Sequence, residues 1–324
     1  MPMKTFAPLL GVAFLALTAP LPPAHAAARV LNVEFKFTPF VGDPTTQDEV
    51  TTVAGTADVF VNGIPVNRQE IGADAAPVLF EAREIAPAVW LPVESLGSIL
   101  RHGANTLRIE FTPADPKAAY RAQLRWASVT DETTTSEGDG ATTATNQAAE
   151  GAETREATGR LVMERAFDAP FAADRPWHHA PADTALTAAD RTALRALVDG
   201  RIAAFAPDFA KLYALLAPAE GAPAGMTIDV AEVKRLECID QVHAAGLRIA
   251  AAPAEEFEIV PSGHAEIVLR AKGGAPLYRP ADLSVLAKIT DEDVQICAGA
   301  ALMKAFPPRL IVVRGARGGW TTVE

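Results

Sequence analysis

The sequence predicts a two-domain α+β protein: an N-terminal antiparallel β-sandwich of jelly-roll type, then helices packed on an antiparallel sheet. Three observations carry this expectation. With 324 residues the chain exceeds what a single hydrophobic core usually supports. Its first half is a succession of short runs with period-two alternation, separated by Gly, Pro, Asn and Asp. Its second half opens on helical periodicity and closes on alternating runs, the order of an α+β domain. Hydrophobic residues make up 49% and charged residues 21% of the chain, which excludes a protein disordered throughout, and with aromatics at 6% the cores must be built mostly from aliphatic side chains.

Residues 1–26 read as a secretory signal peptide. Lys4 supplies the positive end, an apolar run extends from Phe6 to Leu17, and Ala24-His25-Ala26 is a small-x-small cleavage site. The apolar run falls short of the roughly 20 residues a spanning helix needs. After Ala26 even the region from Ile202 to Leu216 is interrupted by Pro207, Asp208 and Lys211. The expectation is a periplasmic or secreted protein, cleaved near Ala26, with no stable membrane insertion. A net charge of -11 and a pI near 5.1 exclude the basic surface that nucleic acid or an anionic membrane would require.

The first domain is assigned to residues 27–170. Val33, Phe35 and Phe37 alternate with polar neighbours in a strand that ends at Pro39. A turn-rich stretch from Val41 to Gly55 leads to a strand carrying Ala57, Val59 and Val61, and Asn62-Gly63 is a tight-turn dipeptide that joins it to Ile64–Val66 in a hairpin. Further strands are expected at Val78–Ala82, Ala88–Pro92, Thr106–Thr112 and Tyr120–Ser128, with a helical turn or two over Val93–Arg101. The Thr-, Ala-, Glu- and Gly-rich stretch at about 130–158 lacks the apolar side chains that would offset its ordering entropy, so it is read as a disordered loop before a strand at Gly159–Phe167.

The second domain is assigned to residues 171–324. Thr187 and Asp190 form a capping box before a helix with Leu194, Leu197, Val198, Ile202 and Phe205 on one face. A second helix opens at Pro207, and a third runs from Val230 to Ala245. Strands follow at Leu247–Ala252, Phe257–Val260, Ala265–Arg270, Val294–Met303, Leu310–Arg314 and Trp320–Val323. Cys238 and Cys297 are the only cysteines. In an oxidising compartment an even pair is most simply a disulfide, with two buried thiols or a metal pair as the alternatives. On this layout the bridge would join a helix to a strand.

Signs of chemistry are sparse. His178-His179 with Asp183 could supply metal ligands, but adjacent histidines point apart, and an exposed interdomain segment is the better reading. His243 or His264 could act as a base beside Asp240 or Glu266, although Asp240 and His243 are spaced as a solvated helical pair. The acidic loop with Asp131, Glu132, Glu137 and Asp139 lacks calcium-loop spacing. No GxSxG, HExxH, phosphate loop or dinucleotide fingerprint occurs, so neither a metal nor a cofactor is expected.

The run Val59-Phe60-Val61-Asn62-Gly63, followed by Leu96 to Phe111, resembles the sugar-binding, galactose-binding-like jelly-roll domain of family-two glycosidases. Asn62, Gly63, Gly103, Asn105, Thr106 and Leu107 match that pattern. The resemblance implies that these residues close the turns of a sandwich and that catalysis belongs to a barrel for which this chain has no room. The second half is similar, through its element order and through Val312, Val313, Arg314, Gly318, Gly319 and Trp320, to cone-shaped domains related to nuclear transport factor two. Such cones often hold a small pocket.

The expected function is therefore a non-enzymatic exported binding or accessory protein of the cell envelope, with a glycan or an envelope protein as partner. Trp90, Tyr120 and Trp126 are the candidate sugar-stacking residues. A small-molecule hydrolase or lyase pocket in the second domain, and a structural component of an envelope assembly, are the alternatives.

Overall fold

The computed structural model describes residues 29–79, 83–130, 147–182, 185–217, 228–315 and 318–323. The expected leader, residues 1–26, Asp183 and the acidic residues Asp131, Glu132, Glu137 and Asp139 lie outside them. The protein mixes α and β structure, and its sheets are antiparallel. No helix among the described residues is long and apolar enough to cross a membrane.

The first half contains β1 (Val30–Val41), β2 (Glu49–Thr52), β3 (Gly55–Val61), β4 (Ile64–Ile71), β5 (Ala75–Leu79), β6 (Glu84–Ile85), β7 (Val89–Pro92), β8 (Gly103–Pro113), β9 (Ala119–Thr130), β10 (Gln147–Thr158) and β11 (Leu161–Ala169). One sheet runs β10-β9-β1-β2-β5-β6, with β7 also paired to β1, and another runs β11-β8-β3-β4. Period-two alternation decides which face each strand buries. It sends Val33, Phe35, Phe37 and Leu124 from the larger sheet to meet Val59, Val61, Ile109, Phe111 and Met163 from the smaller. Their rings interlock across the gap: Phe37 lies 6.1 Å from Phe111, and Phe111 meets Tyr120 edge-on at 5.4 Å.

The larger sheet curls toward its other face, where Phe40, Val50, Ala76, Val78 and Ile85 form a separate small core. Thr38 Oγ1 donates to the Ala86 carbonyl, and Arg125 pairs with Glu84 of β6, which holds the curl. Asn62 and Gly63 have φ of 52° and 75°, the paired positive angles of a two-residue hairpin turn.

The second half contains α1 (Ala188–Ile202), α2 (Ala210–Leu216), α3 (Val230–Arg235), α4 (Cys238–Ala244), β12 (Ile249–Ala251), β13 (Phe257–Pro261), β14 (Ile267–Ala271), β15 (Tyr278–Pro280), α5 (Glu292–Ala305), β16 (Arg309–Arg314) and β17 (Trp320–Thr322). The capping box at Thr187 and Asp190 starts α1 as expected. Asp190 also accepts from Arg314 and the Trp320 indole, so the terminal hairpin is fastened to the head of α1. The sheet β13-β14-β16-β17 is buried on both faces. Ile267, Leu269, Leu310 and Val312 enter the helical core, while Val268 and Ile311 enter the core of the first half.

Several expectations are corrected. The stretch Val294–Met303 is not a strand but lies within α5, capped by Asp291 and buried at Val294, Ala298, Ala301 and Ala305. Alanine marks that buried face so weakly that the neighbouring aliphatics mimic an alternating run. The disulfide Cys238–Cys297 therefore joins α4 to α5, with the two Cα atoms 6.1 Å apart, rather than a helix to the sheet.

The loop expected at about 130–158 is a strand from Gln147 onward. β10 is an edge strand, and its backbone bonds to β9 stabilise it with little apolar burial. The third helix is broken at Glu237, whose φ of 50° separates α3 from α4. The second helix begins at Ala210, not Pro207. β1 continues through Pro39, whose carbonyl accepts from Val53, and β2 lies inside the expected turn-rich stretch.

Candidate functional site

The curled face of the larger sheet presents a row of side chains set by strand register. Lys36 on β1 stands opposite Trp90 on β7 and opposite Arg125 on β9, so the three share the face away from Phe35 and Phe37. Trp90 is 56% exposed, unusual for an indole, and its N–H lies 3.3 Å from Glu34 Oε2. The edge of the ring is thus oriented by a carboxylate while much of its surface faces solvent. An apolar plate flanked by Glu34, Lys36, Arg125 and Glu84 offers stacking together with donors and acceptors.

The other two candidate aromatics are on the opposite face. Tyr120 is buried against Phe111, donates to the Gly159 carbonyl at 2.7 Å, and burial pushes its phenol up to about 12. Trp126 stands opposite Phe35, with Gly151 opposite it on β10 and the Arg165 guanidinium 3.8 Å over the ring. A Cβ at Gly151 would lie 2.4 Å from the indole, so the ring covers that glycine. Tyr120 and Trp126 are core and rim residues, and they do not join Trp90 in one site.

The histidines give a different constellation. Gly63, at the hairpin tip of the first half, touches the second: a Cβ there would lie 2.0 Å from the Ser262 carbonyl. Beside this contact, Arg101 crosses between the halves. One terminal nitrogen lies 2.8 Å from each oxygen of Glu266, and the other donates to the His178 carbonyl at 2.6 Å. Glu266 is only 1% exposed.

The loop that carries Arg101 is held by two buried amides. Asn105 Oδ1 accepts from the Arg101 N–H at 2.9 Å and from Asn62 Nδ2 at 2.8 Å, while Asn105 Nδ2 donates to the Arg101 and Gly103 carbonyls. Asn62 in turn donates to the Ile99 carbonyl and accepts from the Thr106 N–H.

His178 departs from the exposed segment around it, in which Asp174, Pro176 and His179 face solvent. Its side chain is buried, Nε2 donates to the Ser98 carbonyl at 3.1 Å, and Glu266 Oε1 is 4.0 Å away. Burial is the main cause that lowers its pKa below the usual imidazole value, with Arg101 adding to it. His264, exposed on the β13–β14 turn, is lowered by partial desolvation and then by Arg101. The structure thus gathers His178, His264 and Glu266 around Arg101. His179 points away to Asp174 at 2.8 Å.

Through Arg101 this cluster joins the two halves, and Glu266 and the buried imidazole of His178 are both engaged in it. An acid–base pair needs a free carboxylate and an imidazole within hydrogen-bond reach, whereas Glu266 is held by Arg101 and His178 Nε2 by a backbone carbonyl. His243 packs edge-on between Phe205 and Phe209 at 5.2 and 5.4 Å, and Asp240 accepts from the Tyr213 hydroxyl, so these two are not paired either. No group of three or more His, Cys, Asp or Glu among the described residues could hold a metal ion.

A pH dependence follows from His178. A histidine whose pKa falls on folding binds its proton more readily in the unfolded chain. Its contribution to stability is complete above the unfolded value of about 6.5 and is lost as pH drops from there through the lowered folded value. Urea unfolding should show lower stability at pH 5 than at pH 8, and His178→Gln should flatten that part of the profile. An unchanged slope in the variant would assign it to other groups.

Arg101 and Glu266 were not legible as a pair, being 165 positions apart. The one available signal was a carboxylate inside the apolar run Ala265–Leu269. Compared with known protein families, curated proteins and solved structures, the chain matches none of them.

Proposed function

We propose that the protein is an exported, non-enzymatic binding protein of the cell envelope whose first half, a jelly-roll-like sandwich, takes a glycan on its curled face around Trp90. The observation that carries this reading is Trp90 itself: a large apolar ring left 56% exposed among charged side chains, with its N–H turned to Glu34. A stable fold gains little from an indole in water, and a sugar ring supplies the apolar face and hydroxyls that such a plate accepts.

The two facing sheets with a shared aromatic core support the sandwich reading, and the leader with the disulfide supports export. A division near Pro170 into two domains rests on the two principal cores, one for each half, although Val268 and Ile311 cross into the first.

The test is retention on immobilised envelope polysaccharides and peptidoglycan, by affinity electrophoresis. Trp90→Ala should weaken retention by about tenfold or more, equivalent to ~1.4 kcal/mol, without altering the melting temperature. Trp126→Ala should lower the melting temperature instead. Equal retention of the native protein and Trp90→Ala would overturn the reading.

A further inference from the structure

The outer face of α5 is an interaction surface separate from the curled face, and it goes beyond the glycan reading. The three most exposed large hydrophobic side chains among the described residues meet there: Met303 at 77%, Ile296 at 63%, and Leu283 on the helical turn Leu283–Lys288 that precedes α5. Ile296, Gly299 and Met303 are spaced i, i+3 and i+7, so they share one stripe of the helix. Beside that stripe opens an apolar cleft of about 240 Å³, walled by Leu247, Leu283, Leu286, Leu302, Met303 and Phe306. Scattered apolar side chains on a surface are ordinary, whereas a contiguous set at the rim of an apolar cleft marks a contact surface. Knobs and hole stand side by side here, as a self-complementary two-fold interface requires.

The charges on α5 are segregated along its length. Asp291, Glu292 and Asp293 begin the helix, Lys304 is in its last turn, and Arg201 donates to the Ala305 carbonyl at its end. Asp293, Ala300 and Lys304, spaced i, i+7 and i+11, are exposed along one flank of the apolar stripe. Neither the Asp293 carboxylate nor the Lys304 ammonium forms an ion pair among the described residues. Asp293 attracts Arg235 only at longer range, and Arg235 is itself paired with Glu232.

A two-fold axis at Gly299 brings these features into register. Ile296, three positions before the axis, falls opposite Leu302, three after it, at the wall of the other copy's cleft. Asp293, six positions before, falls opposite Ala305 and beside Lys304. Such an axis keeps each flank on its own side of the helix pair, so the acidic start of one flank meets the basic end of the other. At Gly299 itself a Cβ would find nothing within 4 Å, which leaves room for the partner's backbone to approach.

We infer that the outer face of α5 binds a second copy of this chain. The two α5 helices pack antiparallel about Gly299, the partner's Ile296 closes the apolar cleft, and Asp293 pairs with the partner's Lys304.

Sedimentation equilibrium of the purified full chain at micromolar concentration tests this, and the expected mass is twice that of the chain. Gly299→Arg sets two guanidiniums face to face on the axis and should raise the dimer dissociation constant about a hundredfold or more. Arginine is a better helix former than glycine and meets no neighbour in the isolated chain, so far-ultraviolet circular dichroism should be unchanged. Lys304→Glu should weaken the dimer about tenfold or more, and adding Asp293→Lys to it should restore association, because the reversed charges meet again across the axis.

Trp90→Ala should leave the mass unchanged, so this inference and the glycan reading fail separately. A chain that stays monomeric leaves the face to another protein or to a small apolar ligand and overturns the inference. A dimer that survives Gly299→Arg, or one indifferent to both charge reversals, overturns it as well.

Discussion

Glu266→Ala is expected to destabilise the protein by about 3–5 kcal/mol, because it leaves the Arg101 guanidinium buried without its counter-ion. Glu266 is 1% exposed and the Arg101 side chain 14%, so water cannot replace the lost carboxylate.

A double variant, Arg101→Met with Glu266→Leu, removes both charges and should recover much of the loss, since an apolar pair of similar volume avoids the desolvation of two ions. Urea unfolding of the native protein, both single variants and the double variant forms a cycle, and contact at 2.8 Å requires a coupling above ~0.5 kcal/mol. Additive losses, or a cost below ~1 kcal/mol for Glu266→Ala, would mean that the pair does not tie the halves together.

That tie explains which parts of the fold the sequence disclosed. The first-half strands were legible where one face carries the core, as Val33, Phe35 and Phe37 or Ala57, Val59 and Val61 keep strict alternation. Asn62-Gly63 was legible because positive φ at two successive positions leaves few residue choices. α5 was not legible: three of its four buried residues are alanine, and Ile296 and Met303, the residues that most suggest a core, are exposed.

β10 escaped for the opposite reason. An edge strand is stabilised by its ladder to β9, and composition carries no record of backbone hydrogen bonds. The sites followed the same division. Trp90 could be named as a candidate, but only the Lys36 register placed it on the face opposite Tyr120 and Trp126. The outer face of α5 could not be named at all, because the run that carries Ile296 and Met303 reads as a strand.

Loss of the Cys238–Cys297 bridge is expected to cost about 4 kcal/mol, the chain-entropy value for a closed loop of this length. The cysteines are 59 positions apart, and the loop between them contains β12, β13, β14 and β15 together with the Glu266 strand turn, so opening it frees a large part of the second half. Cys238 is fully buried in the helical core between Val233 and Val242, where alanine is tolerated better than serine because it brings no unpaired hydroxyl.

Cys238→Ala with Cys297→Ala should therefore lower the melting temperature by roughly 8–16 °C, taking about 2–4 °C per kcal/mol for a unit of this size. Native protein held in reductant should melt close to the variant, and reductant should leave the variant unaffected. A drop of less than about 3 °C in the variant would show that α4 and α5 are held by the aliphatic contacts of their core alone. The full drop would make an oxidising compartment a condition of stability for the helix pair.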